Sequence, residues 1–443
     1  MSALPPGPRL PSALQAIGWT RRTLPFLERC RERYGRTFRL RIMHFGDWVV
    51  LSDPADVKRV FTAGDAVGVA VANPLLRPVL GPTSVMLSEE PAHMRKRRVT
   101  LPAFHGEAVR ADAEMMAEVA RREVASWPVG EPFELWPRMQ SVTLDVVMRA
   151  VFGSQPHPRL AELRRRLVAL TECLNDSRNL TMLALFGPRA VARSRRYREA
   201  MGAVEEAVLA EVRRRRAEPL PDPPDVVSML IAARREDGSP LSEAELRDEL
   251  VTLLSDGPTS SSLAWAFERM LRSPQALERA RADALEGDGS YIDAVVKETL
   301  RLRPPVPVVV RRLLRPMRLG GYDLPAGTVV APCVHLIHRD PEHYEEPARF
   351  MPERFLDRRP GTYTWIPFGG GVRRCLAANY AEMEMRRVIK TILSEAELRP
   401  AERGPEPIAK SAISFSPGKR GLVIAEPRPR ARAAAPDPVG VGA

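Results

Sequence analysis

The 443-residue chain has little cysteine and no obvious way to pair it. Its four cysteines, Cys30, Cys173, Cys333 and Cys375, lie far apart with no C-x-x-C spacing, which argues against a disulfide framework or a structural zinc site. No stretch of 18 apolar residues exists, so no transmembrane helix is expected. The opening residues lack the charged-then-apolar plan of a secretion signal, and a cytoplasmic protein is expected. Zinc-finger and RNA-binding signatures are missing too.

What is present describes a globular chain: 44% hydrophobic, 28% charged, with 43 prolines and a formal net charge of +12. The charge is spread through amphipathic stretches, as on a solvated surface, and would also suit an acidic protein partner. Thr37 to Leu51 reads as strands, and 106–126 and 138–152 as helices. Residues 306–334 read as strands with turns at Gly320-Gly321 and Pro325 to Gly327. Ser242 and Glu245 have capping-box spacing and open a helix expected to reach about Arg272, roughly 30 residues or about 45 Å at the helical rise. A second helix is expected from Ser290 to about Arg303, stopped by Pro304-Pro305. Residues 1–425 are expected to form one domain. The Pro-, Ala-, Gly- and Arg-rich 426–443 segment is expected to be disordered.

The chemistry concentrates in FGGGVRRCLA at 368–377. Three glycines permit unusual dihedrals and close backbone approach to a flat group. A helical stretch follows, placing Cys375 near a helix N-terminus, where the dipole and the neighbouring Arg373 and Arg374 favour a thiolate. A phosphate loop would carry Lys-Ser or Lys-Thr after its last glycine, and this segment does not. A lone cysteine is ordinarily a small buried hydrophobe, and Glu298 with Arg301, three apart on a helix, ordinarily a surface pair. His93 and Arg97 would by themselves be a solvated basic face.

Taken together and in order, these segments resemble the cytochrome P-450 family. The match to F-x-x-G-x-R-x-C-x-G falls on Phe368, Gly371, Arg373 and Cys375, with Ala377 in place of the last glycine. Glu298 and Arg301 resemble the family's E-x-x-R motif, followed by the Pro304-Pro305 stop and then by Arg354 in a Phe-Met-Pro-Glu-Arg-Phe segment. His338 to Pro341 also fits. The resemblance covers about residues 30–425. It implies a mainly α fold with small β-sheets (α+β), holding haem b between a long central helix and the helix after the cysteine loop. It implies Cys375 as the iron ligand, a thiolate that favours O–O cleavage. By the same resemblance His93, Arg97, Arg373 and Arg311 (or Arg312) bind the haem propionates, and Glu298, Arg301 and Arg354 form a buried structural network. Substrate-lining residues would come from Val85 and Met86, 173–186, Leu250, Leu253 and Leu254, Val306 and Val309, and 413–415 including Ser414. Core packing accounts for most of these equally well.

One departure matters. The family's central helix carries an acid followed by an alcohol that move protons during oxygen activation. Here the ungapped positions hold Gly257 and Pro258, and a one-residue shift brings only Thr259 to the alcohol position. Pro258 must disturb the helix ladder. Thr259, neighbouring serines or Asp256 are the candidate substitutes, unless the hydroxyls merely satisfy freed carbonyls. Three functions therefore stand open. The first is a monooxygenase acting on a terpenoid, polyketide or fatty acyl compound, in secondary metabolism. It would be monomeric and fed by a ferredoxin or flavodoxin with its NAD(P)H reductase. The second is an atypical haem-thiolate enzyme: a peroxygenase, isomerase, dehydratase or coupling catalyst. The third is a non-catalytic haem-containing ligand binder.

Overall fold

The structure is a computed structural model describing residues 4–69, 76–153, 157–218, 221, 225–255, 258–411 and 414–428. Helices dominate, and their largest shared core is built by 113–125, 135–152, 258–271 and 378–395. Leu263, Ala264, Ala266 and Phe267 of Pro258–Leu271 are all buried there. No helix of the described residues is long and apolar enough to cross a membrane.

The sheets are small. The largest runs Thr37–Ile42, Gly46–Leu51, Val329–Pro332, Arg311–Leu313, Val67–Gly68 in spatial order. Thr37–Ile42 and Gly46–Leu51 form an antiparallel hairpin, while Gly46–Leu51 runs parallel to Val329–Pro332. Phe38, Leu40 and Ile42 alternate into one core cluster; Val49 and Leu51 enter another on the opposite face. Met317–Leu319 turns into Tyr322–Leu324 through Gly320-Gly321. Both glycines have positive φ, +57° and +84°, as a tight two-residue hairpin requires. A Cβ on Gly320 would sit 2.2 Å from the Thr37 hydroxyl.

Two expected boundaries change. The single helix from Ser242 to Arg272 is two helices, Glu243–Leu254 and Pro258–Leu271. The first opens on the expected capping box: Ser242 N–H donates to Glu245 at 2.9 Å, and Glu245 N–H returns to Ser242 Oγ at 3.3 Å. It ends because Ser255 leaves helical dihedrals (φ −76°, ψ 66°). Pro258 then stands at the first position of the second, where its missing N–H costs nothing. Proline thus breaks the long element rather than kinking it. At the C-terminus, Glu426 and Pro427 were expected to be disordered. They complete the strand Leu422–Pro427, paired with Ala396–Pro400 because that strand's outer residues still find ladder partners. Residues 429–443 lie outside the described ones.

Candidate functional site

The cysteine loop is held from three sides. Cys375 N–H donates to Phe368 O at 2.9 Å, closing the loop on itself. Gly369 N–H donates to Ile366 O, and Trp365 Nε1 donates to Lys297 O on the helix Ser290–Leu302 at 3.2 Å. The glycines serve a purpose the sequence did not suggest. Gly371 has φ +65°, and a Cβ there would lie 1.9 Å from Phe61 O. One on Gly370 would lie 2.5 Å from the Phe61 ring. Two of the three glycines therefore let the loop press on the end of Pro54–Phe61. Only Gly369, at φ +71°, has no atom within 4 Å of its missing Cβ.

The following helix is Ala378–Glu395, with Ala377 as its N-cap. Ala377 has φ −94°, a conformation alanine adopts freely, so the replaced glycine is not required here for dihedral reasons. Of the four cysteines, only Cys375 is exposed. Desolvation nevertheless raises its thiol pKa, outweighing the Ala377 N–H, Arg374 and Arg97, which all pull it down. An accessible yet desolvated sulfur is one facing an interior space. Arg97 thus joins Arg374 in favouring the thiolate. Arg373, expected in that role, is turned toward Glu89 and Glu90 at 3.5 and 3.7 Å.

His93, Arg97, Arg311 and Arg373 converge around this space from separate elements. His93 and Arg97 come from Ala92–Thr100, Arg311 from a strand and Arg373 from the loop. Arg97 Nη1 donates to Arg374 O at 2.8 Å. His93 Nδ1 meets Glu90 at 2.7 Å. Burial, with Arg373 and Arg97 nearby, lowers the pKa of its imidazole. Arg311 is buried, and desolvation plus Arg373 push its pKa down to about 10. Among the described residues it has no ion pair; its Nη1 donates to Val310 O at 2.9 Å, and its guanidinium lies 6.0 Å from the Phe61 ring centroid. Arg312 is less buried and, by strand alternation, points to the other face. Crowded, desolvated cations with too few carboxylates are a site built for an anion.

The E-x-x-R pair is fully buried, both side chains at 0% exposure. Arg301 Nε and Nη2 donate to the two Glu298 oxygens at 2.6 and 2.7 Å. Arg354 Nε and Met351 N–H add bonds to Glu298 at 3.3 and 2.8 Å. Arg301 also donates to the carbonyls of His338, Pro347 and Arg349. His338 continues the network to the cysteine loop: Nδ1–H donates to Arg301 O at 3.2 Å, and Nε2 accepts from Ile366 N–H at 2.8 Å. That pattern requires a neutral ring, and burial depresses its pKa to about 3.

Above the loop the candidates divide. Asp256 lies outside the described residues. Thr259 is half-buried, and Ser260, Ser261 and Ser262 are buried. Ser262 Oγ donates to Pro258 O at 2.8 Å and Ser255 Oγ to Val251 O at 2.6 Å, so these two hydroxyls serve the broken ladder. Ser261 Oγ is buried without a hydrogen-bond partner among the described residues. Among the substrate candidates, Leu250 (0%) and Leu254 (2%) are almost wholly enclosed and belong to the main core. Their i,i+4 spacing puts both on the packed face. Val85 and Ser414 are buried, Leu253, Val306 and Val309 half-buried, and Met86 is 48% exposed.

Sequence reasoning missed the tether that positions Val85. Asp248 accepts from Thr83 N–H and Oγ1 at 2.8 and 2.7 Å, and Glu249 accepts from Val85 N–H at 3.2 Å. Lys96 pairs with Glu249 at 3.1 Å. Charges inside a helix reading Arg-Asp-Glu-Leu give no sign in one dimension that they are buried.

The family model for cytochrome P450 matches residues 4–424. A putative cytochrome P450 135B1 of Mycobacterium tuberculosis is 42% identical over 408 residues, spanning 89% of this chain and 85% of that protein. A putative cytochrome P450 137 of the same organism is 38% identical over 407 residues, 88% and 83% of the two chains. Retinoic acid-bound cyanobacterial CYP120A1 superposes with TM-score 0.83 at 21% identity, covering 97% of this chain and all of that one. The haem domain of cytochrome P450DA gives 0.82 at 23%, covering 97% and 99%. The fold and the loop are those of a haem-thiolate oxidoreductase. The chain belongs to the cytochrome P450 family, monooxygenases that carry haem b.

Proposed function

We propose that this P450 inserts one oxygen atom of O₂ into a C–H or C=C bond of a hydrophobic small molecule, of terpenoid, polyketide or fatty acyl type. Cys375 Sγ would hold the haem iron, and His93, Arg97, Arg311 and Arg373 its propionates. The observation that carries this reading is the pairing of an accessible, desolvated Cys375 with buried cations that lack sufficient anionic partners. Bound haem supplies the redox chemistry that splits O₂. This chain's own residues do the rest. The Ala377 N–H and Arg97 favour the charged sulfur. The His338 and Trp365 bonds fix the loop against the Ser290–Leu302 helix. Val85, buried, and Val309, half-buried, would help keep water from the substrate side. Thr259 is our candidate to carry a proton at its Oγ1. Electrons would come from an acidic ferredoxin or flavodoxin, docking in a salt-sensitive way on this basic protein.

The reduced, carbon monoxide-treated protein should show the thiolate-type absorption band, and Cys375→Ser should abolish it while the fold persists. A Cys375→Ser protein with an unchanged band would sink the ligand assignment. A second reading, a peroxide-using or non-oxygenating haem-thiolate enzyme, is favoured by one observation: the helix break between Leu254 and Pro258. Turnover with hydrogen peroxide alone, faster than with NAD(P)H, partner and O₂, would select it.

A further inference from the structure

The helix Ser12–Arg21 is apolar on two sides and buried on one. Ala16 and Trp19 turn inward, and Gln15 beside them fixes the helix in place. Gln15 Nε2 donates to Pro8 O and Leu10 O at 3.1 and 2.8 Å, and its Oε1 accepts from Arg41 N–H at 2.9 Å. The other side presents Leu14 and Ile17, surface neighbours three apart, at 50% and 51% exposure. Leu10 leads into them at 49%. A helix hydrophobic all round is normally covered all round, yet among the described residues this outer side is open. The helix Ser177–Phe186 packs against it and ends on Phe186, which is 66% exposed. The turn at 43–45 joins the two: Met43 N–H donates to Ser12 O at 3.4 Å, and a Cβ on Gly187 would lie 3.2 Å from His44.

Single exposed apolar side chains are ordinary, but a contiguous group of them marks an interaction surface. Of the twelve large hydrophobics exposed among the described residues, four, Leu4, Leu10, Leu14 and Ile17, fall within residues 4–17. The charge around them has one sign. Residues 1–27 contain no Asp or Glu, and neither do residues 177–198. Arg9, Arg21, Arg22, Arg41 and Arg189 are exposed, and among the described residues none of them forms an ion pair. Asp47, on the adjoining hairpin, is taken by Arg39. Protein-binding surfaces centre on aromatic and Met anchors. Aliphatic side chains on a fixed helix, ringed by unpaired arginines, suit the headgroup layer of an anionic bilayer instead.

We propose that the open side of Ser12–Arg21, with the Phe186 end of its neighbour, docks this P450 on the surface of an anionic phospholipid bilayer. Leu10, Leu14, Ile17 and Phe186 enter the boundary between headgroups and acyl chains. Arg21, Arg22 and Arg189 hold lipid phosphates, which a guanidinium matches with two parallel donors. The attachment is peripheral, since no helix of the described residues is long and apolar enough to cross a membrane. It goes beyond the oxygen-insertion reading and stands independently of it.

The test is flotation of the holoenzyme with vesicles of phosphatidylglycerol mixed with phosphatidylcholine, against vesicles of phosphatidylcholine alone. The wild type should bind the anionic vesicles about tenfold or more tightly than the neutral ones, and less so as salt rises. Leu14→Ser with Ile17→Ser should weaken that binding about tenfold or more. Arg21→Gln with Arg22→Gln should weaken it comparably and flatten its salt dependence. Leu285→Ser, a change at a 52% exposed leucine on Pro274–Leu285, should alter nothing. The haem spectrum and melting temperature of each variant report that the fold persists. Equal binding to both vesicle types, or wild-type binding in both double variants, overturns the proposal. Self-association of the wild type in lipid-free buffer that Leu14→Ser with Ile17→Ser abolishes would overturn it too, by assigning the face to a second copy of the chain. Vesicle binding needs no turnover, so its failure is separate from loss of the thiolate band.

Discussion

Replacing Glu298 with Ala should be among the most damaging single changes outside the cysteine. The carboxylate takes two bonds from Arg301, one from Arg354 Nε and one from Met351 N–H. Its loss leaves the Arg301 guanidinium, at 0% exposure, with only the carbonyls of His338, Pro347 and Arg349. Stranding one partner of a buried ion pair costs about 3–5 kcal/mol, against a total stability of roughly 5–15 kcal/mol. The exposed pair Arg195 and Glu199, 2.6 Å apart, is the control, because such a surface pair is worth about 0–1 kcal/mol. Thermal unfolding of the holoprotein should show Glu298→Ala several degrees below wild type and Arg195→Ala within a degree. Glu298→Ala combined with Arg301→Met should cost less than the two singles added, since the pair is coupled by about 0.5–3 kcal/mol. A Glu298→Ala protein as stable as the Arg195→Ala control would refute the claim that this network supports the loop.

Three further outcomes follow from the same geometry. His338 is neutral when folded, with its pKa near 3 against about 6.5 unfolded. Its contribution is present above pH 6.5 and is lost as pH falls toward 3, at up to about 1.4 kcal/mol per unit. Urea unfolding between pH 7.5 and 5 should show a flatter slope in His338→Gln, and an unchanged slope would contradict the assignment. Arg311→Met should speed haem transfer to an apoglobin acceptor by about tenfold or more, through loss of a charge-assisted bond, whereas Arg312→Met should not; the reverse would reverse the register. Gly371→Ala should lower haem loading and melting temperature far more than Gly369→Ala. The first meets Phe61 O at 1.9 Å, and the second bears only a backbone cost of roughly 1–2 kcal/mol; equal effects would remove Phe61 as the reason for the glycine.

What one dimension carries depends on how local the physics is. The Ser242–Glu245 box, the stop before Pro304 and the Gly320-Gly321 turn were legible because each is set by neighbours in sequence. The long central helix was misjudged because the helical patterns before Ser255 and after Pro258 read as one element, while the chain leaves helical dihedrals at Ser255 and Pro258 opens a new helix. The cluster of His93, Arg311 and Arg373 could be named only by likeness to a family, since these residues meet through chain separations of more than 200 and 60 residues that no local rule spans.

The sequence by itself singled out Cys375 as the candidate, and it determined the order of the motifs and the family to which they belong, because these are matters of residue type and spacing. Tertiary structure alone decided that Gly370 and Gly371 yield to Phe61, that Arg97 rather than Arg373 helps the thiol, and that Leu250 and Leu254 are core. The physical reason is that desolvation and close contact are properties of surroundings, and those surroundings come from parts of the chain hundreds of residues away.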